Sequence, residues 1–143
     1  MKHLLFLTAM LFGSATFWAQ TSSSEIDLEQ HKIVMQLTSG DTNVHKMVVR
    51  QIANILAAAP NSKIEVVCHA SGINMLMTLQ TKVQPKVIEL KMKGVEFVAC
   101  ENTMLEKKIT KEEIIPEAGY VKVGILEIVR KQEQGWSYIR AAQ

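Results

Sequence analysis

Cys100 has the widest chemical reach of any residue in this chain of 143 residues. It ends the apolar run Val95 to Cys100 (VEFVAC) and precedes Glu101, Asn102 and Thr103, which can open a turn or a helix. Free backbone N–H groups at such a start favour the thiolate and lower a thiol pKa below its free value of about 8.5. The thiolate is the form that attacks sulfur or binds a soft metal. His69 directly follows a second apolar run, Ile64 to Cys68 (IEVVC). Laying Ile64 on Val95 matches Val66 with Phe97 and Val67 with Val98, and sets His69 opposite Cys100. The same register on the first run, Ile33 to Leu37, brings Thr38 level with both. An imidazole there could hold the thiol proton or supply positive charge, whereas the Glu101 carboxylate would raise the thiol pKa. These residues predict a thiol open to small reagents at the rim of the fold and partly ionised near neutrality. Strand cysteines are commonly just small packed hydrophobes, so the pattern leaves a packed Cys100 open as the plainer alternative.

The remaining candidates are weaker. Cys68 precedes His69, so it faces the other side of its strand and away from Cys100. A packed core thiol is expected there, with no direct disulfide between the two cysteines. Thr38-Ser39-Gly40-Asp41 before a helix could bind an anion through free N–H groups, yet it lacks the phosphate-loop lysine and reads first as a structural turn. Thr38, Ser39, Asn102 and Thr103 are therefore the ligand-pocket candidates, beside the candidate catalytic pair Cys100 and His69. His45 falls on the polar face of a helix and is expected to be solvated. Met75, Met77 and Met104 could join Cys100 and His69 around a soft metal, although Met at such spacing is mostly core filler. No metal-binding cysteine pair, serine-triad signature or paired-carboxylate motif is recognisable. No cofactor or resident metal is called for.

The elements that must position these residues alternate between strand and helix. Val44, Met47, Val48, Ile52, Ile55 and Leu56 recur at helical spacing after the first strand, with Asp41 or Thr42 as cap and Pro60 as stop. A short Met-rich helix is expected over Ile73 to Leu79. Another opens at Pro85, with Val87, Ile88, Leu90 and Met92 on one face and Gly94 as its stop. After the Cys100 strand comes a polar loop. Thr110 and Glu113 then form a capping box ahead of Ile114 and Ile115, and Pro116 ends that turn. Tyr120 to Val123 reads as a fourth strand, and Ile125, Leu126, Ile128 and Val129 drive a last helix ending at Gly135. Trp136 to Ile139 makes a fifth, edge strand. Parallel returns need crossovers, and near-continuous apolar strands need cover on both faces. The prediction is an α/β fold, a three-layer α/β/α sandwich on a mostly parallel five-stranded sheet. Ligands in such sheets gather beyond the carboxyl ends of the strands.

Residues 1–19 have the layout of a secretory signal: Lys2, the apolar run Leu4 to Phe12, then Gly13, Ser14, Ala15 and Ala19. The apolar run is too short for a membrane span, and no cysteine near its end could take a lipid anchor. Residues 20–30 read as a flexible leader, and residues 31–143 as one domain. The protein is expected to be exported, to a periplasm. Losing Lys2 with the signal lowers the net charge from +2 to +1. Mixed near-neutral charge provides no stripe for nucleic acid and no polybasic membrane patch.

KGVEFVACENTM (Lys93 to Met104) resembles the third strand and following loop of DsrE/DsrF-like proteins. VVCHASGI (Val66 to Ile73), IVMQLTSGD (Ile33 to Asp41) and VGILEIVRKQEQGWSYI (Val123 to Ile139) resemble further pieces of that family in the expected order. The resemblance implies an α/β/α fold with a largely parallel five-stranded sheet and homo-oligomers, trimers or hexamers. It also implies, at the position of Cys100, the cysteine that carries persulfide sulfur in the relay members. The family's usual His-Gly after the second strand is His69-Ala70 here, with a glycine only at Gly72. The function expected is an exported sulfur-carrier or thiol-handling protein with an unidentified sulfur donor or acceptor as partner. The alternatives are a non-catalytic small-ligand or protein-binding module on the same fold, and a soft-metal binder.

Overall fold

The computed structural model describes residues 26–141. The expected signal, 1–19, and the leader up to residue 25 lie outside the described residues. The last leader residues are exposed but tied down: Asp27 N–H donates to Ala58 O at 2.8 Å, and Asn61 Nδ2 to Leu28 O at 2.8 Å.

Five strands form one sheet: β1 (Lys32–Leu37), β2 (Lys63–Cys68), β3 (Glu96–Cys100), β4 (Gly119–Val121) and β5 (Ser137–Arg140). Their order is β4-β3-β2-β1-β5, and every pairing is parallel. The chain steps from β1 to β4 in one direction, so right-handed crossovers place the intervening helices on one face. These are α1 (Thr42–Ala58), α2 (Gln84–Met92) and α3 (Glu101–Lys107). The return from β4 to the far edge reverses direction and carries α4 (Gly124–Glu133) across the opposite face. The sandwich therefore has a crowded side and a sparse one. Met35, Leu37, Val66, Cys68, Phe97 and Ala99 pack into the large core under α1 to α3. Val34, Val67 and Val98 meet only Ile128 of α4, with Val121 and Trp136 at the margin.

That asymmetry corrects several expectations. A lone helix cannot bury a broad apolar stripe, so Ile125, Leu126 and Val129 of α4 remain exposed and Ile128 alone is buried. On α2, Val87 and Leu90 are buried while Ile88 and Met92 face outward. The Met-rich stretch is a 3-10 segment, Ala70–Leu76, starting earlier than expected, and Leu79 lies beyond it fully in solvent. The polar loop after β3 is the helix α3. Asp41 is the cap of α1, accepting from Asn43 N–H at 2.8 Å. The Thr110–Glu113 box forms, with Thr110 N–H donating to Glu113 Oε2 at 2.9 Å. His45 is not solvated: it is 1 % exposed and its Nε2 meets Ser39 O at 2.8 Å, pinning the β1–α1 turn. No helix among the described residues is long and apolar enough to cross a membrane.

Two positions after β2 have unusual backbone demands. Ala70 sits at φ 50°, in the left-handed region that costs a non-glycine residue about 1–2 kcal/mol. The resemblance expects glycine at this place, and the dihedral gives the reason. Ala70→Gly is expected to stabilise the fold by about 1 kcal/mol once glycine's greater unfolded-state entropy is set against the relieved strain. Urea unfolding checks it, and an unchanged or lower midpoint would contradict the strain. The second position is Gly72, whose Cα lies against the end of β1.

Candidate functional site

The register across β1, β2 and β3 is the one expected. Val66 pairs with Phe97, Val67 with Val98, and Leu37 with Cys68. One step further, His69 lies level with Cys100 on one side and Thr38 on the other, and His69 N–H donates to Leu37 O at 3.1 Å. By alternation Gln36, His69 and Cys100 all face the α4 side. Cys68 faces the opposite core, fully buried, and burial pushes its thiol pKa far up. Both cysteines are free.

The first turn of α4 closes over the pair. A Cβ on Gly124 would lie 3.3 Å from the Cβ of Cys100, 3.3 Å from the Cβ of His69 and 3.1 Å from Val67 Cγ1. With only hydrogen there, the helix start drops close enough for Gly124 N–H to donate to Cys100 Sγ at 3.2 Å. From the other side, α3 begins directly after Cys100. Burial alone would raise the thiol pKa. The N–H groups of Thr103 and Gly124, the Thr103 hydroxyl and the Asn102 N–H outweigh it, leaving the thiol below its ordinary value. The thiol is nevertheless only 4 % exposed, not open at the rim as expected. The cover that lowers its pKa is the cover that restricts access.

Thr103 ties two strand ends together. Its hydroxyl oxygen accepts from Ala70 N–H at 3.1 Å, so its proton is free to point at the sulfur. Thr103→Val removes both bonds. We expect it to remove the bond to Ala70 N–H, at a cost of about 0.5–1.5 kcal/mol because Ala70 is exposed, and to raise the pH midpoint of Cys100 alkylation, with Thr103→Ser restoring the midpoint. A midpoint equal to wild type would remove Thr103 from the site.

His69 is half-buried, and burial lowers its pKa, which keeps the imidazole neutral. Its Nε2 lies 2.8 Å from Gln36 Nε2, and Gln36 Oε1 accepts from the Tyr138 hydroxyl on β5. The amide thus donates to His69 Nε2, and the ring proton resides on Nδ1. Glu101 does not burden the thiol. It pairs with Lys122 at 2.8 Å and Lys111 at 3.5 Å, and these ammonium groups hold its carboxyl below the usual range.

The other candidates divide. Thr103 belongs to the site. Asn102 contributes its backbone only, its side chain turning to Glu106 Oε1 at 2.8 Å. Thr38 is half-buried and level with His69. Ser39 is consumed in its own turn, its hydroxyl accepting from Asp41 N–H at 3.2 Å. Met75, Met77 and Met104 are buried in the core on the far face of the sheet. They cannot meet a metal beside Cys100 and His69, so the soft-metal set falls. Among the described residues no three His, Cys, Asp or Glu groups converge to hold an ion.

Sequence reasoning passed over Gln36, Tyr138 and Gly124. Gln36 carried a signal, as the one polar residue of an apolar strand, two places before Thr38 on the same face. Gly124 carried none, because its role depends on a helix arriving from the far edge. The reading also found no paired carboxylates, whereas Glu65 and Glu96 are cross-strand partners on the α4 side. The register that placed His69 against Cys100 already implied that pair.

A protein of unknown function from Methanobacterium thermoautotrophicum has the same fold, with a TM-score of 0.73 and 29 % identity over 77 % of this chain and 98 % of that one. A conserved protein of unknown function from Bacteroides thetaiotaomicron matches with a TM-score of 0.59 and 14 % identity over 76 % of this chain and 93 % of that one, a likeness of fold alone. Among curated proteins none matches. The DsrE/DsrF-like family matches across residues 31–141, from the start of β1 past the end of β5. That match spans the whole five-stranded sheet, and the chain belongs to the DsrE/DsrF-like family.

Proposed function

We propose that this protein is an exported sulfur carrier in which Cys100 takes up sulfane sulfur as a persulfide and passes it on by thiol exchange. The observation that carries the reading is the ring of N–H and O–H donors from α3 and α4 on the Cys100 sulfur, which favours the thiolate. In the uptake step the Cys100 thiolate attacks the outer sulfur of a donor persulfide. A new S–S bond forms, the donor's S–S bond breaks, and the donor leaves as its own thiolate with no net oxidation. The same donors suit the persulfide anion that results. Neutral His69, fixed by Gln36, assists by holding a proton near the sulfur. Attack requires the first turn of α4 to lift, since Cys100 is nearly covered.

That coverage favours a second reading, in which Cys100 is packed and the domain serves as a binding module for a small ligand or a protein. Self-assembly belongs to the first reading: the exposed Ile125, Leu126 and Val129 provide an apolar row for a second copy of the chain. Native mass spectrometry after incubation with a small-molecule persulfide donor tests both points. One added sulfur per chain, on trimers or hexamers, supports the carrier. No added sulfur, with Cys100 inert to alkylation in the folded protein, favours the binding module.

A further inference from the structure

The sparse face of the sheet leaves a cleft of about 490 Å³ between α4 and the strands β3 and β4. It lies on the same face as Cys100, with Val98 and Val121 standing between. Its floor is polar. Glu65 is 3 % exposed, and its Oε2 receives Lys131 Nζ at 2.5 Å, while its Oε1 has no hydrogen-bond partner. Glu96, its partner across the strands, sets a second carboxyl on the same face beside it. Glu117 and Glu127 add two more carboxylates to the walls.

The two lysines of the cleft are already committed. Lys131 serves Glu65, stands 3.8 Å from Glu127 and stacks on the Trp136 ring at 4.3 Å. Lys91 Nζ donates to Glu117 O at 2.5 Å. The cleft therefore presents four carboxylates against two lysines that are already committed, with Lys63 beside Glu96 at its margin. A buried carboxylate oxygen without a donor is costly, and a donor supplied from outside removes that cost. A divalent metal is a poor fit, because no three ligating groups converge among the described residues. The walls beyond the carboxylates are Val98, Gly119 and Val121, which suit hydrocarbon.

We propose that this cleft binds a small organic cation, an alkylammonium or alkylguanidinium compound. Its charged end would donate to Glu65 Oε1 and Glu96, and its alkyl portion would lie along Val98 and Val121. In the unliganded cleft a proton on Glu65 lessens the cost of that buried carboxyl. Burial pushes the Glu65 pKa up to about 7, Lys131 opposes the rise, and Glu96 and Glu127 add to it. Lys63, on the same face of β2, and Lys131 are the cations facing Glu96. A bound cation takes the place of that proton. Binding thus releases a proton, and affinity rises as pH passes upward through the Glu65 range.

The test is a two-dimensional NMR titration of the full chain with n-butylamine and n-butylguanidine, and with n-butanol as the neutral control. Saturable shifts at the Val98, Gly119 and Val121 amides with both cations, and none with butanol, are expected. Calorimetry in buffers of different ionisation enthalpy should show proton release. Glu65→Gln and Glu96→Gln should each weaken binding by at least about tenfold. Butanol shifting the same amides as strongly, or cations shifting none of them, would overturn the site. Should Glu65→Gln fail to fold, unchanged affinity in Glu96→Gln would overturn it equally. Cys100 takes no part in these readouts, so the result stands apart from the sulfur-carrier reading.

Discussion

Cys100→Ser is expected to abolish sulfur uptake, while Cys68→Ala is expected to take up sulfur as the wild type does. Serine keeps the shape at position 100 and can still accept from Gly124 N–H, so the fold should survive. It cannot form the nucleophilic anion near neutrality, and no other thiol can substitute. Cys68 is fully buried on the opposite face of the sheet, and burial alone acts on its pKa, upward. The side chains of residues 68 and 100 are separated by the sheet itself, so a persulfide formed at one could not pass to the other. Losing the Cys68 sulfur costs roughly 1–2 kcal/mol of packing, which leaves uptake intact. Intact mass after treatment with a persulfide donor, followed by cyanide release of the bound sulfur, checks both variants. Sulfur retained by Cys100→Ser and lost in Cys68→Ala would reverse the assignment.

Gly72→Ala should be the most damaging single methyl in the molecule. A Cβ at that position would stand 2.1 Å from Leu37 O, 2.6 Å from Leu37 C and 2.9 Å from Thr38 N. The atoms in the way are backbone, at the end of a central strand, and cannot rotate aside. Either the segment Ala70–Leu76 lifts off β1 or β1 shifts, and each movement drags Ile73, Met75 and Leu76 out of the main core, where all three are fully buried. A loss of about 4 kcal/mol or more is expected, at the extreme of single substitutions. That corresponds to a fall in Tm of roughly 10–20 °C for a domain of this size. Thermal unfolding followed by circular dichroism checks it. A Tm within a few degrees of wild type would mean that the segment does not dock on β1 at this distance.

Gly72 and Gly124 set the two constraints on the site. Gly72 seats the loop after β2, and the same loop delivers Ala70 N–H to Thr103, whose hydroxyl then serves Cys100. Gly124 seats α4 over His69 and Cys100 from the other face. A thiol gripped from both sides is polarised and shielded at once. On the sulfur-carrier reading, α4, the least buried of the described helices, is the element that must move to admit a reagent.

Five strands, the helices α1, α2 and α4, and the level of His69 against Cys100 were legible in the amino-acid sequence, whereas α3 was not. Those follow from local rules: apolar runs, caps at Asp41 and Thr110, stops at Pro60 and Gly94, and a period of two along each strand that fixes which residues share a face. It also held the Glu65–Glu96 pair, implicit in the register of Val66 with Phe97. What covers each face came from the packing of elements distant in the chain. The exposure of Ile125, Leu126 and Val129 follows from α4 crossing its face alone, and the burial of His45 from the turn it pins. The shielding of Cys100 follows from Gly124 arriving out of a crossover that returns from one sheet edge to the other. Periodicity tells a residue's side of its own element. Whether another element stands opposite is set by the path of the whole chain, through contacts between residues far apart in sequence.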